Sequence, residues 1–479
     1  MRNVLSGIEY VDELNFRIQK PHTSSEIMSF ANNFVSRSEA DTSYLDTFCC
    51  AKHSIWADKK IKNLVIIAIS FFASFFPLQG VIDNRWRDPA LNHQVFVSPD
   101  PDTCTILVLQ PFFESAHHSF DCFGKDTGLF DITQLYTLKG LDDALLATGA
   151  IAQSLIPTFW AAALTQGPYF MRGKFQTQGI AFHWYHDISN HWAFGMRGEG
   201  LHANARMELV RDDALFDGGL LVNVSNPGNE RELTLLQEKL HAALEVQPAI
   251  WDDWMLGDFE LYARLYSTKP YAYKCRHLDA GIALGLLIPA APFRDINNPA
   301  SLPMGGDRHW GLFLEGTLDA IVRHDIRAGF LLRYQQRFSR VDRLRVATAK
   351  EPLNFGAVVG DIRVTPGPTV MFAPYLIKEN LRDGFGMRVG YTLVQHFRDS
   401  FSDCRADRTV PINFDILRNA SVWGLDIATL GFLYDFAYDK VERHFEPVIS
   451  IMVDVPVNFA ASSLAAQTFG VAISMEASF

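Results

Sequence analysis

Residues 469–479 read FGVAISMEASF. Phe469, Val471, Ile473, Met475 and Ala477 are apolar, while Gly470, Ala472, Ser474, Glu476 and Ser478 between them are small or polar, and the run ends on the aromatic Phe479. A period of two is that of a β-strand with one apolar and one polar face. The reading of the whole chain turns on what the apolar face touches.

The chain has 479 residues, 48% of them apolar and 20% charged, which is too polar for a bundle of membrane helices. The same balance suits strands that give only alternate side chains to lipid. Its 37 Phe and 9 Trp favour strands. A net charge of -11 without a basic face disfavours nucleic acid as a partner. The six cysteines (Cys49, Cys50, Cys104, Cys122, Cys275 and Cys404) form no CxxC pair and no metal-ligand spacing. Cys122 and Cys404 could pair if both lie in exported loops; unrelated free thiols are the expectation.

Residues 59–80 read KKIKNLVIIAISFFASFFPLQG, three lysines ahead of an uncharged apolar run from Leu64 to Leu78 with Pro77 near its end. That is the order of a secretory signal peptide. At 1.5 Å per residue the run spans about 22 Å, short of a bilayer core of roughly 30 Å, which argues against a membrane anchor. Cleavage is expected after Gly80. The 58 residues ahead carry scattered charge and no sustained period. They are expected to be an over-extended start, with initiation near Lys60 or Ile61, or else a disordered tail.

From about residue 103 the alternation recurs. Strands are expected near 103–114, 174–186, 191–200, 256–267, 278–288, 310–321, 326–339, 367–377, 384–397, 420–435, 445–456 and 468–479, twelve in all. The fourth sets Phe259, Leu261, Ala263 and Leu265 against Asp258, Glu260, Tyr262 and Arg264, and the ninth sets Phe385, Met387, Val389, Tyr391 and Leu393 against Gly386, Arg388, Gly390 and Thr392. Such runs exceed the usual five or six residues of a globular strand and match the nine to eleven that a tilted membrane strand needs.

The connections alternate as well. Those after the odd-numbered strands run to roughly twenty to sixty residues, and those after the even-numbered ones (DISN, STKPYAYKCR, VRHD, KENLRD, AYDKVERHF) to roughly four to ten. The final connection, near FAASSLAAQT, barely exceeds the longest turn. An exported terminal strand with a bare apolar strip would be an adhesive edge in water; closed against the first strand and facing lipid, it is satisfied. With its terminal Phe479 and the alternation before it, the chain resembles the Gram-negative outer-membrane β-barrels over residues 103–479. The resemblance implies an all-β, closed antiparallel transmembrane barrel of about twelve strands, with short periplasmic turns, long external connections and residues 81–102 as a periplasmic segment. It implies outer-membrane lipid and lipopolysaccharide around the wall, and a barrel-assembly machinery that reads Phe479.

Some segments fit less simply. Pro111 and Pro374 fall inside strands one and eight, where each removes a ladder donor; bulges are expected to absorb them. Strands one, eight and ten are apolar on both faces, so their orientation stays open. Residues 145–164 (LLATGAIAQSLIPTFWAAAL) are expected to form a helix of the first long connection, in or over the mouth, and residues 230–246 a second helix lying on the surface as a cap.

Opposite the apolar strip, the lumen is expected to hold Arg197, Glu199, Asp258, Glu260, Arg264, Glu315, Asp319, Arg327, Arg333, Arg337, Arg388, Asp426, Asp454 and Glu476, beside inward glycines. Charges of both signs suit a hydrated, porin-like passage for small solutes. The competing reading is a lumen closed by pairing of those charges, in a structural or surface-interaction protein. Twelve strands fall between the filled eight-stranded barrels and the wide sixteen-stranded ones. No catalytic constellation, metal site or cofactor motif is expected. His183 and His186 read as members of an interfacial aromatic girdle, with Trp184, Trp192, Trp254, Trp310, Tyr334, Tyr391 and Trp423 near strand ends. HHSFD (117–121) reads as a solvated loop and NPASLPMGGDRHWG (298–311) as turn chemistry.

Overall fold

The computed structural model describes residues 84–87 and 105–478, except 133–135, 159, 162–163, 165–168, 212–226, 272, 274, 324, 349–350 and 437–445. The leader at 59–80, the 58 residues ahead of it and Phe479 lie outside the described residues.

Twelve antiparallel strands form the wall: β1 Thr105–Ala116, β2 Tyr169–Ser189, β3 Trp192–Arg211, β4 Phe259–Pro270, β5 His277–Ile288, β6 Gly311–Arg323, β7 Ile326–Arg337, β8 Thr369–Arg382, β9 Phe385–His396, β10 Trp423–Asp435, β11 Glu446–Val457 and β12 Phe469–Ser478. Each pairs with its neighbours in sequence, and β12 pairs back onto β1, from Ile106 opposite Ser478 to Ser115 opposite Phe469. The ring of twelve therefore closes on itself, and the fold is a closed transmembrane β-barrel.

β12 shows the two faces directly. Phe469, Val471, Ile473 and Met475 point outward and are 44–55% exposed, whereas Ala472, Ser474 and Glu476 point inward and are at most 4% exposed. The same parity runs round the wall, with Leu109, Leu265, Ile282, Leu332, Leu376, Val389, Leu430 and Ile451 on the outer face. Hydrocarbon is the solvent that leaves such a belt without cost.

The prolines are absorbed without bulges. Pairing of β1 with β12 skips from Leu109–Met475 to Phe112–Ala472, and pairing of β8 with β9 skips from Phe372–Leu393 to Tyr375–Gly390, in each case without a change of register. On their other sides both strands pair continuously through the proline. A proline deletes one donor and not the spacing of the chain, so the ladder loses a step and resumes.

The wall is uneven. β2 and β3 have 21 and 20 residues, and Ile250–Leu256 pairs with the far part of β3 before β4 begins, so this sector extends beyond its neighbours. The long connections all lie at this end. They hold helix α1 (Leu138–Thr148), α2 (Pro227–Ala243) and α3 (Phe414–Ser421), and a three-stranded sheet of Arg340–Val346, Val358–Thr365 and Ser400–Asp403. Leu141 and Leu145 of α1 and Leu236 and Leu240 of α2 share one buried cluster with Tyr136, Tyr169 and Phe175. The first helix lies earlier than the composition of 145–164 suggested. Thr137 accepts a hydrogen bond from Gly140 N at its start, and Gly149, at φ 72°, ends it where the apolar run begins.

Candidate functional site: the lumen and its mouth

Alternation places one side chain in two inside the barrel, and closure brings the inward sets of non-neighbouring strands together. Arg197 on β3 donates to Glu315 on β6 at 3.0 and 3.1 Å, with β4 and β5 between them in the wall, so the pair runs across the interior. Arg333 on β7 grips Glu260 on β4 at 2.6 and 3.0 Å, and Arg197 lies 3.5 Å from the same carboxylate. Two arginines and two glutamates thus form one cross-lumen lattice. Arg197 also lies over the ring of Tyr262, 4.6 Å from its centroid, and Arg333 over Phe313 at 4.0 Å.

Further pairs line the inner wall. Arg264 meets Asp279 at 2.5 Å and Thr317 at 3.1 Å; Arg327 meets Asp319 at 2.7 Å, where Tyr375 also donates at 2.6 Å; Arg337 meets Asp258 at 2.6 Å. Asp454 accepts from Thr429 at 2.7 Å. Arg388 lies over Tyr375, 4.9 Å from its ring centre, and both oxygens of the buried Glu476 lack a hydrogen-bond donor among the described residues. Asp279 was not singled out from the sequence, although its alternation with Gly281, Ala283 and Gly285 carried the signal.

Asp426 is on the opposite face from the one expected. It pairs across strands with Leu393 and Val457 on the outward parity, and the β11–β12 connection folds over it. Its carboxylate accepts from the backbone N–H of Ala460, Ala461 and Ser462 at 2.7–3.1 Å and from the Tyr391 hydroxyl at 2.8 Å. That cover also explains why this end of β10 reads as apolar on both faces. Two girdle assignments change as well. His183 points inward, 2.5 Å from the Tyr262 hydroxyl, and Trp423 is buried against His396, while His186 stacks on Trp184.

The mouth at the long-connection end is occupied by the chain itself. Asn84–Arg87, expected from the sequence ahead of the barrel on the periplasmic side, lies here. Arg87 donates to Glu114, two residues from the end of β1, at 2.6 Å and to Glu199, at mid-length of β3 just past its last pair with β4 (Arg197–Glu260), at 2.8 Å. Its guanidinium lies over Phe112, 4.9 Å from the ring centre. Burial alone would lower the pKa of Arg87; the two carboxylates outweigh it and raise it. Trp86 packs on Phe130, its carbonyl accepts from Thr468, and the Arg85 carbonyl accepts from Ala466 N. The sequence signal was NRWRD at 84–88, two arginines flanking an aromatic ahead of the first strand. Cys122, Cys275 and Cys404 are free thiols.

No family model matches the sequence, and no curated protein matches it. Among solved structures, the chain is similar to a COG4313 outer membrane channel from Pseudomonas putida F1, with 8% identity, a TM-score of 0.45, and 81% of this chain and 99% of that one covered. It is also similar to a FadL homologue from Pseudomonas aeruginosa (10% identity, TM-score 0.29, 84% and 96% covered) and to the NanC porin (7%, 0.28, 63% and 93%). The fold assignment rests on the strand register and on the two faces of each strand.

Proposed function

We propose that this barrel is an outer-membrane protein, exported through the 59–80 leader, and works as a porin-like passive channel for small solutes. The cross-lumen lattice of Arg197, Glu260, Glu315 and Arg333 carries the reading. Buried ion pairs seldom repay the desolvation of their charges, and apolar packing of the same volume often holds a fold better. A barrel needing only to stand in the membrane gains little from charges of both signs on its inner wall. A wall that conducts hydrated solutes gains a polar surface and a transverse field from them. Lipid and lipopolysaccharide contact the outer belt, the assembly machinery reads the terminal strand, small solutes pass inside, and no catalytic step belongs to this reading.

A second reading, a surface-interaction protein with a closed lumen, is favoured by the seat of Arg87 and by inward side chains that are mostly under a tenth exposed. Single-channel recording of the full chain in planar bilayers separates the two. Stepwise conductance supports the channel, and Arg87→Ala, which frees Glu114 and Glu199, is expected to increase the open-state conductance. A flat baseline from both the parent and the variant would leave the surface-interaction reading in its place.

A further inference from the structure

Outside the barrel wall, the long connections enclose a cavity of about 330 Å³, within the roughly 300–1,000 Å³ of small-molecule sites. Its walls come from the 84–87 segment, the β5–β6 connection, the Arg340–Val346 strand and α3. Trp86, Phe130, Phe293, Leu302, Leu353 and Phe401 make most of it apolar.

One cation buried in this wall keeps an edge without an acceptor among the described residues. Arg85 is 8% exposed; its Nη1 donates to the Ala420 carbonyl at 2.7 Å, while its Nε has no acceptor among the described residues. No carboxylate lies within ion-pair distance of it among the described residues, and Arg294 lines the same cavity. Arg345 and Asp342, which also line the cavity, are engaged. Arg345 donates to the carbonyls of Ile296 and Gly356 and to Asn297, and Asp342 is held by His309 at 2.8 Å and Arg340 at 3.1 Å. Asp307, half-buried and with an enclosed Oδ1 that has no partner among the described residues, lies in the field of Arg294. Burial lowers the pKa of Arg85 to about 10, with Arg294 adding to the shift and Asp399 opposing it.

A guanidinium with an unused edge in an apolar enclosure matches a planar carboxylate, which it can hold through two parallel N–H···O bonds. We propose that this cavity binds a small carboxylate with an aromatic or branched apolar body, its anionic end on the guanidinium of Arg85 and its body against Trp86, Phe130 and Phe293. The unpartnered oxygen of Asp307 is available to a hydroxyl or amide donor on the same molecule. The proposal is independent of conduction, because the site lies in the connections and binding is measured at equilibrium.

The test is titration of the full chain in detergent with benzoate and with benzyl alcohol, its neutral counterpart, read by calorimetry and by Trp fluorescence. Benzoate is expected to bind saturably and benzyl alcohol at least tenfold more weakly. Arg85→Gln is expected to weaken benzoate at least tenfold and to leave benzyl alcohol unchanged, and Arg85→Lys to fall between. Leu353→Trp, which fills the cavity and keeps Arg85, is expected to abolish both; if Arg85→Gln does not fold, this variant and the two-ligand comparison decide. Equal affinity for the two ligands, unaltered benzoate binding in Arg85→Gln or Leu353→Trp, or no saturable benzoate signal at millimolar concentration would overturn the proposal.

Discussion

Arg264 and Asp279 show what one residue contributes inside the wall. The pair sits at 2.5 Å with both side chains about nine-tenths buried, and Thr268 gives Asp279 a further bond at 2.9 Å. Removing one partner of such a pair strands a buried charge at a cost of about 3–5 kcal/mol. Arg264→Met is expected to lose that much in urea unfolding from lipid vesicles, and Arg264→Met with Asp279→Leu to recover most of it. A double variant no better than the single one would show that the arginine matters through packing on Tyr266 instead. At this scale the sequence was legible where one face was plainly apolar: Glu260, Arg264, Arg388 and Glu476 all point inward. It was not legible at Asp426, because a connection 33 to 36 residues further along covers the outer face and erases the alternation that would have shown its side.

At the scale of the element, β12 gives the plainest test of solvent. Ile473 lies on its outer face, 44% exposed, and opposite Ile451 of β11. Arginine on a lipid face near the midplane costs about 2–4 kcal/mol, so Ile473→Arg is expected to shift urea unfolding in vesicles by that amount. A shift under about 1 kcal/mol, the figure for the interfaces, would place the residue away from the hydrocarbon centre.

Helix α2 carries a pH dependence. Burial lowers the pKa of His241 to about 4, and its Nε2 lies 2.7 Å from the Tyr136 hydroxyl. The unfolded chain takes up this proton near pH 6.5 and the folded chain near 4, so the contribution is intact above 6.5 and is lost as pH falls between the two. Proteolysis within α2 is expected to quicken between pH 7 and 4.5, and His241→Gln to flatten that response. The strand count and the long-short rhythm of connections were readable because membrane thickness sets a minimum span and topology the rhythm. The lengths of β2 and β3, 21 and 20 residues against the expected 174–186 and 191–200, were not, since both run on past the wall. The second helix was readable too, expected at 230–246 and found at Pro227–Ala243; the first was not, since 145–164 is apolar by composition and Gly149 ends α1 by backbone geometry alone.

For the whole molecule, closure is what turns a list of alternating strands into an interior. Arg327 and Arg333 share β7 and Arg388 lies on β9, with one strand between, so the three mark one sector of the inner wall. Replacing the three with Ser is expected to move the reversal potential under a salt gradient towards cation selectivity, and an unchanged potential would mean that ions bypass this wall. The ring was foreseeable from β12, whose apolar strip had to find both a partner and lipid. The seat of Asn84–Arg87 was not, because nothing local to four residues tells which end of a barrel will hold them.

The two skipped ladder steps, at Gln110–Pro111 and at Ala373–Pro374, divide the ring unequally, into an arc from β1 to β8 and a leaf from β9 to β12. Each gap interrupts a seam that is otherwise paired in one register, so these two seams are where the ring is least tied. The four-strand leaf between them carries Arg388, Asp454 and Glu476, which therefore share one side of the passage.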